Sequence, residues 1–211
     1  MDTTLLHALN GFAFHHDAVE DPLALYVGAS QILFMALLAL LVLVDRAGGR
    51  LRRAAVAGGF GAGLALLCAQ VVSRAVDRPR PFVADPAGVH LFAKHAADAG
   101  FPSDHATAAF AIATALALRD RRWGGVVLAL ATVLAVGRVA LGVHYPTDVL
   151  GGAALGAAVS CLLYARPVRM RIDRLADWVG GLIDAVWRRW SPTRAAALRL
   201  AAVRAAGEQH R

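Results

Sequence analysis

The sequence predicts an all-α, polytopic membrane helix bundle of about five spans, preceded by a short N-terminal helix at the membrane interface. Three observations lead there. The 211-residue chain is 58% hydrophobic and only 18% charged, more apolar than soluble domains of this size. Its apolar residues fall in runs instead of an amphipathic pattern, and its arginines gather between those runs.

Residues 3–14 read as the interfacial helix. The first 16 residues lack a basic start and a long apolar core, so they do not form a cleavable signal peptide. Residues 23–44 carry no charge, and 54–72 form a second such run. At about 1.5 Å per residue, each is long enough to cross a hydrocarbon layer of roughly 30 Å. The runs 105–118, 123–137 and 149–165 are shorter; beside two full-length spans they read as the third, fourth and fifth. Gly59 and Gly63 stand in a GxxxG spacing, and the other small residues of the spans suit close helix packing in lipid. Cys68 and Cys161 lie inside apolar runs, where a thiol acts as a small hydrophobe.

Two domains are expected: a membrane domain over 1–165 and a basic, cytoplasmic, amphipathic tail over 166–211. In the tail Ile172, Leu175, Val179, Leu182, Ile183, Val186 and Trp190 recur at helical spacing, with Arg171, Arg174, Arg188 and Arg189 between them. Two placements suit that pattern: on the inner membrane surface, or packed on the cytoplasmic face of the membrane domain.

The net charge is +7. Its placement argues against nucleic acid as a partner, because most arginines flank apolar spans. Arg46, Arg50, Arg52 and Arg53 follow the first span, Arg119, Arg121 and Arg122 separate the third and fourth, and the tail holds a further set. The positive-inside rule puts these segments in the cytoplasm and the N-terminus outside. Arg74, Arg78, Arg80, Lys94 and Arg138 then fall outside, against the topogenic bias. All but Lys94 lie in clusters that also carry reactive side chains.

Those clusters are RAVDRPRPF (74–82), FPSDH (101–105) and GRVALGVHYPTD (137–148). Arg80 and Arg138 offer planar forks matching phosphate oxygens. Ser103 follows Pro102 and reads as the N-cap of the third span, whose free N–H groups favour an anion. Pro146 suits the first turn of the fifth span, so Asp148 lies where it can reach back to His144. These groups meet the needs of phosphate ester or anhydride hydrolysis. His144, oriented by Asp148, is the nucleophile; His105 protonates the leaving oxygen and then activates water. No acidic cluster suits Mg²⁺, so neither a metal nor another cofactor is expected. His7, His15, His16, His90 and His95 have no such context; His15 and His16 read as interfacial or loop residues, with Lys94 and His95 as candidate headgroup contacts.

In these motifs the chain resembles the type-2 phosphatidic-acid phosphatase superfamily. That signature has three parts: Lys-x6-Arg-Pro, Pro-Ser-Gly-His, and Ser-Arg-x5-His-x3-Asp. Arg80-Pro81 matches the end of the first, Pro102-Ser103-Asp104-His105 the second, and Arg138-x5-His144-x3-Asp148 the third. The resemblance implies that Arg80, Ser103 and Arg138 bind phosphate, with His105 as acid/base and His144 as the nucleophile. Three positions depart from the pattern. Ser73 stands at the lysine position, leaving Arg74 and Arg78 as candidates for its role; Asp104 replaces glycine, adding negative charge beside the bound phosphate; Gly137 replaces serine. RPRPF, FPSDHAT and GVHYPTDVL are similar to the bacterial undecaprenyl-diphosphate phosphatase branch. This implies a lipid substrate met on the outer face of the cytoplasmic membrane. The same machinery also serves phosphatidic-acid or phosphatidylglycerol-phosphate hydrolysis, lipid phosphotransfer or, without turnover, an anionic-lipid carrier. Nothing in the sequence speaks to oligomeric state.

Overall fold

A computed structural model describes residues 1–45, 49–92 and 95–190. Arg46, Lys94 and the tail beyond 190 lie outside the described residues. The described chain is helical throughout its ordered elements: α1 (Asp2–Phe14), α2 (Asp17–Val44), α3 (Arg50–Val76), the single turn α4 (Pro81–Ala84), α5 (Asp104–Ala117), α6 (Arg121–Ala140), α7 (Pro146–Leu163) and α8 (Arg166–Trp190). Four of these segments are long and apolar enough to cross a membrane. The exception among the five expected spans is α5, which has 14 residues. At about 1.5 Å per residue it is roughly 21 Å long, short of a full crossing.

Its shortness fits its position. α5 is the central helix, packed by α3, α6 and α7, and Ala106, Ala109, Ala111, Ile112, Ala113 and Leu116 are buried on it. The outer helices present Leu25, Ile32, Met35, Leu67, Val71 and Leu162 outward, the sides that lipid covers. In lipid, apolar side chains gain little by leaving the solvent, so helix association depends on close packing of small residues. α7 shows this. A Cβ at Gly156 would overlap the carbonyl of Thr107, and one at Gly152 would stand 2.6 Å from the carbonyl of Ser103. The α5–α7 contact therefore brings the start of α5 against the start of α7.

Polar ties hold the two ends of the bundle. At the end where α2 stops and α3 begins, Arg53 pairs with Asp177 at 2.7 Å and Arg119 with Asp173 at 2.7 Å. These bonds dock α8 against α3 and the α5–α6 turn. At the other end Asn10 of α1 donates from its amide to the carbonyls of His90 and Ala140, both at 2.8 Å, and accepts the His90 N–H at 2.8 Å. Gly142 beside it has φ +75° and stands against the His90 carbonyl, a backbone state that disfavours side chains.

Candidate active site

The end that carries α1 also carries the end of α3, the start of α5, the end of α6 and the start of α7. All three sequence clusters therefore meet there, although 74 residues separate Arg74 from Asp148. Asp77 ends α3 in the left-handed region (φ 43°), which reverses the chain and sends Arg80 inward. Ser103 caps α5 in extended conformation. Asp148 occupies the first turn of α7 and accepts the Tyr145 N–H at 2.8 Å, satisfying one helix-end donor.

His144 lies at the centre, 1% exposed. Its Nδ1 stands 2.9 Å from the carbonyl of Gly100. Its Nε2 stands 2.9 Å from Arg80 Nη1 and 3.1 Å from Arg138 Nη2. A carbonyl only accepts and a guanidinium only donates. His144 is thus neutral, with its proton on Nδ1 and a lone pair on Nε2 between the two arginines. Burial, then the charges of Arg138 and Arg80, hold its pKa well below the usual histidine value.

The surrounding charge is unbalanced. Arg80 and Arg138 are both buried; among the described residues Asp98 accepts from Arg80 Nε at 2.8 Å, and no carboxylate bonds Arg138. Burial raises the Asp98 carboxyl, but the Arg80 hydrogen bond and charge outweigh it and hold it below the ordinary carboxylate range. Arg138 has only neutral partners among the described residues: its Nη2 donates to His144 and to His95 Nε2 at 3.0 Å. Arg138 Nε and the Ser103 hydroxyl, both buried, have no hydrogen-bond partner among the described residues. Buried cations and orphaned donors are costly unless an anion completes them. The oxygens of a phosphate group would supply such acceptors. His105, on the first turn of α5, is an electrostatic neighbour of Arg138, His144, His95 and Arg80, at the edge of the same space.

Two expectations need correction in their geometry. Asp148 does not take the His144 ring N–H as its own partner: Gly100 does, and Asp148 Oδ2 stays 3.6 Å from Nδ1. The capping bond to Tyr145 and the pair with Arg78 at 2.9 Å hold the carboxylate back. Neither Arg74 nor Arg78 reaches the cradle formed by Arg80 and Arg138. Arg74, on the last turn of α3, is exposed and makes no hydrogen bond or ion pair among the described residues, because the helical phase turns it outward. Arg78 follows the reversal at Asp77 and faces Asp2, Thr147 and Asp148 instead. Asp104 is exposed at the rim, accepting from Gln70 at 3.3 Å, and as expected its charge lies near Arg80 and Arg138.

His95, Asp98 and Gly100 belong to the site and had no motif to mark them. Each lies on the loop before α5 and bonds Arg138, Arg80 or His144; His95 was marked in the sequence only as a candidate headgroup contact, and Asp98 and Gly100 only by standing just ahead of FPSDH. Burial, then the arginine charges, lower the His95 pKa against the opposing Ala96 carbonyl. The remaining histidines lie elsewhere. His7 pairs with Asp85 at 3.2 Å, His15 and His16 just beyond α1 bond the α1 carbonyls of Gly11 and Phe12, and His90 stacks on Phe14 at 3.7 Å.

An anion cradle with a neutral histidine at its centre, set at one end of a bundle of apolar helices, defines an integral-membrane enzyme of phosphate chemistry. Comparison with known proteins agrees. The PAP2 superfamily model matches residues 54–171, and the chain belongs to that superfamily. It is a phosphatase of this lipid-phosphatase family. It is 29% identical to the undecaprenyl-diphosphatase BcrC of Bacillus subtilis over 188 residues, 89% of this chain and 91% of that one. It is 46% identical to the putative undecaprenyl-diphosphatase YbjG of Escherichia coli over 84 residues, 39% of this chain and 41% of that one. The crystal structure of Aquifex aeolicus LpxE shares the fold, with a TM-score of 0.54 and 22% identity over 76% of this chain and 93% of that one.

Proposed function

We propose that the protein removes the terminal phosphate of undecaprenyl diphosphate, leaving the monophosphate, on the extracytoplasmic side of a bacterial cytoplasmic membrane. The observation that carries this reading is the His144 Nε2 lone pair lying between the Arg80 and Arg138 forks. In the mechanism, Arg80, Arg138, the Ser103 hydroxyl and the N–H groups at the start of α5 take the non-bridging oxygens of the terminal phosphate. Nε2 attacks phosphorus, and the bond from phosphorus to the bridging oxygen breaks. His105 gives its proton to that oxygen, and the lipid monophosphate leaves. His105 then takes a proton from water, whose oxygen attacks the phosphohistidine and breaks the N–P bond. Free phosphate departs and both histidines are restored. Asp148, near Nδ1, favours the positive charge that the ring carries while Nε2 is bonded to phosphorus.

The substrate part of the proposal is supported by the likeness to BcrC along nearly the whole of both chains. Purified protein, assayed for phosphate release on undecaprenyl diphosphate, phosphatidic acid and phosphatidylglycerol phosphate, decides it. A higher kcat/KM on the isoprenoid diphosphate is expected, and a clear preference for either glycerolipid overturns it. In the same assay His144→Ala loses roughly a thousandfold or more, the scale set by removal of a covalent nucleophile, with thermal unfolding unchanged. A carrier without turnover would release no phosphate from either form.

A further inference from the structure

Arg78 is held between two carboxylates, and one of them comes from α1. Its Nη1 donates to Asp148 Oδ1 at 2.9 Å and to the Thr147 hydroxyl oxygen at 2.6 Å. Its Nη2 donates to Asp2 Oδ2 at 2.7 Å, and the guanidinium carbon lies 4.0 Å from the centre of the Tyr145 ring. Asp2 in turn accepts the Thr147 N–H at 3.0 Å and the Thr147 O–H at 2.6 Å. The Thr147 amide is one of the N-terminal donors of α7 that the helix itself leaves without a partner.

We propose that Asp2 is a positioning residue of the reaction, which through Arg78 and Thr147 sets the place and the net charge of Asp148 beside His144. The inference rests on the reading of His144 as nucleophile. An isolated Asp148–Arg78 pair is neutral overall and exerts little field on the ring. With Asp2 the trio carries one net negative charge, 3.6 Å from Nδ1 at its nearest oxygen. That charge matters when Nε2 bonds to phosphorus and the ring becomes cationic. Asp2 also anchors the first turn of α7, on which Asp148 rides. Asp2 touches neither the cradle nor His144, so its effect passes through its neighbours. It gives α1 a function beyond lying at the interface.

The test compares full-length Asp2→Asn, Arg78→Gln and the double variant in detergent, with Asn10→Ala as a variant that loosens α1 without changing charge. His144 faces Arg80 from the α3–α4 segment, Arg138 from α6, His105 from α5, His95 and Asp98 from the loop before α5, and Asp148 from α7. All are retained in every variant. Asp2→Asn is expected to lower kcat about tenfold, the factor of a one-unit shift in interaction with the ring, with KM nearly unchanged. It moves the acid limb of the kcat profile to lower pH, because a negative charge is lost. Arg78→Gln moves the limb to higher pH, and the double variant returns it toward the original. Asn10→Ala lowers the unfolding temperature and leaves the limb in place. A wild-type profile in Asp2→Asn, or a shift in the same direction as Arg78→Gln, overturns the proposal. Should Asp2→Asn fail to fold, Asp2→Glu carries the comparison: it restores kcat and the limb if charge at this place is what matters, and a limb unlike wild type overturns the idea. An active His144→Ala would instead remove the mechanism itself, a result distinct from either of these.

Discussion

At the residue scale, the proposed reaction turns on which atoms surround a single imidazole, His144. A free histidine is half protonated near pH 6.5, and a protonated ring has no lone pair for phosphorus. Here Gly100 takes the Nδ1 proton and two guanidinium groups aim at Nε2, so the neutral tautomer is the one the site accepts. Burial and the two arginine charges act in the same direction. The sign follows: in the empty enzyme the ring stays neutral as pH falls through the ordinary histidine range, and it gains a proton only below it. Nitrogen-15 NMR of the imidazole at about pH 6 is expected to report the Nδ1–H tautomer, assigned by its loss in His144→Ala. An imidazolium signal at that pH would contradict the geometry.

At the element scale, the site depends on how closely α7 approaches α5. Gly152 and Gly156 allow α7 to lie against the backbone of Ser103, Thr107 and Ala111. Thr107 in turn bonds back to Ser103, its hydroxyl donating to the Ser103 carbonyl at 2.9 Å, and the Ser103 N–H donates to the Asp148 carbonyl at 3.0 Å. Separating the helices would therefore pull Ser103 at the start of α5 away from Asp148 at the start of α7. Gly156→Ala, which adds one methyl group against the Thr107 carbonyl, is expected to cost about 1–3 kcal/mol by overpacking. Activity should fall with it, measured as unfolding temperature in detergent and phosphate release on the same samples. Gly125 has open space where a Cβ would go, so Gly125→Ala should leave both unchanged. Equal tolerance at the two glycines would show that the close approach is not needed.

At the scale of the whole molecule, the apolar spans and the arginine-rich segments between them predict orientation as well as fold. Arg50, Arg53 and Arg119 lie at one end, where they pair with Asp120, Asp177 and Asp173, and the phosphate cradle lies at the other. The positive-inside rule predicts that the basic end lies in the cytoplasm, and under the proposed reading the cradle then faces outward. In intact cells a membrane-impermeant maleimide should label a cysteine placed at Ala87, in the exposed loop beyond α4, and spare one placed at Arg122. Cys68 and Cys161 are first replaced by alanine. The reverse labelling pattern would invert the topology and remove the extracytoplasmic site from the proposal.

The spans, the three motif clusters and their meeting at one end were legible in the sequence, because hydropathy and charge bias act locally along the chain. So was the gathering of Arg80, Ser103, His105, Arg138, His144 and Asp148 at one end of the bundle, while their roles belong to the proposed reaction. Tertiary structure alone decided the rest. It turned Arg74 outward and gave Arg78 to Asp2 and Asp148, because a left-handed residue at Asp77 reverses the chain between them. It brought His95 and Asp98 to the arginines and gave the His144 proton to a backbone carbonyl rather than to Asp148. It also joined Asp2 to the first turn of α7, 145 residues away. Hydrogen bonds of that range depend on where helices end in space, and nothing in the local pattern of either segment carries that information.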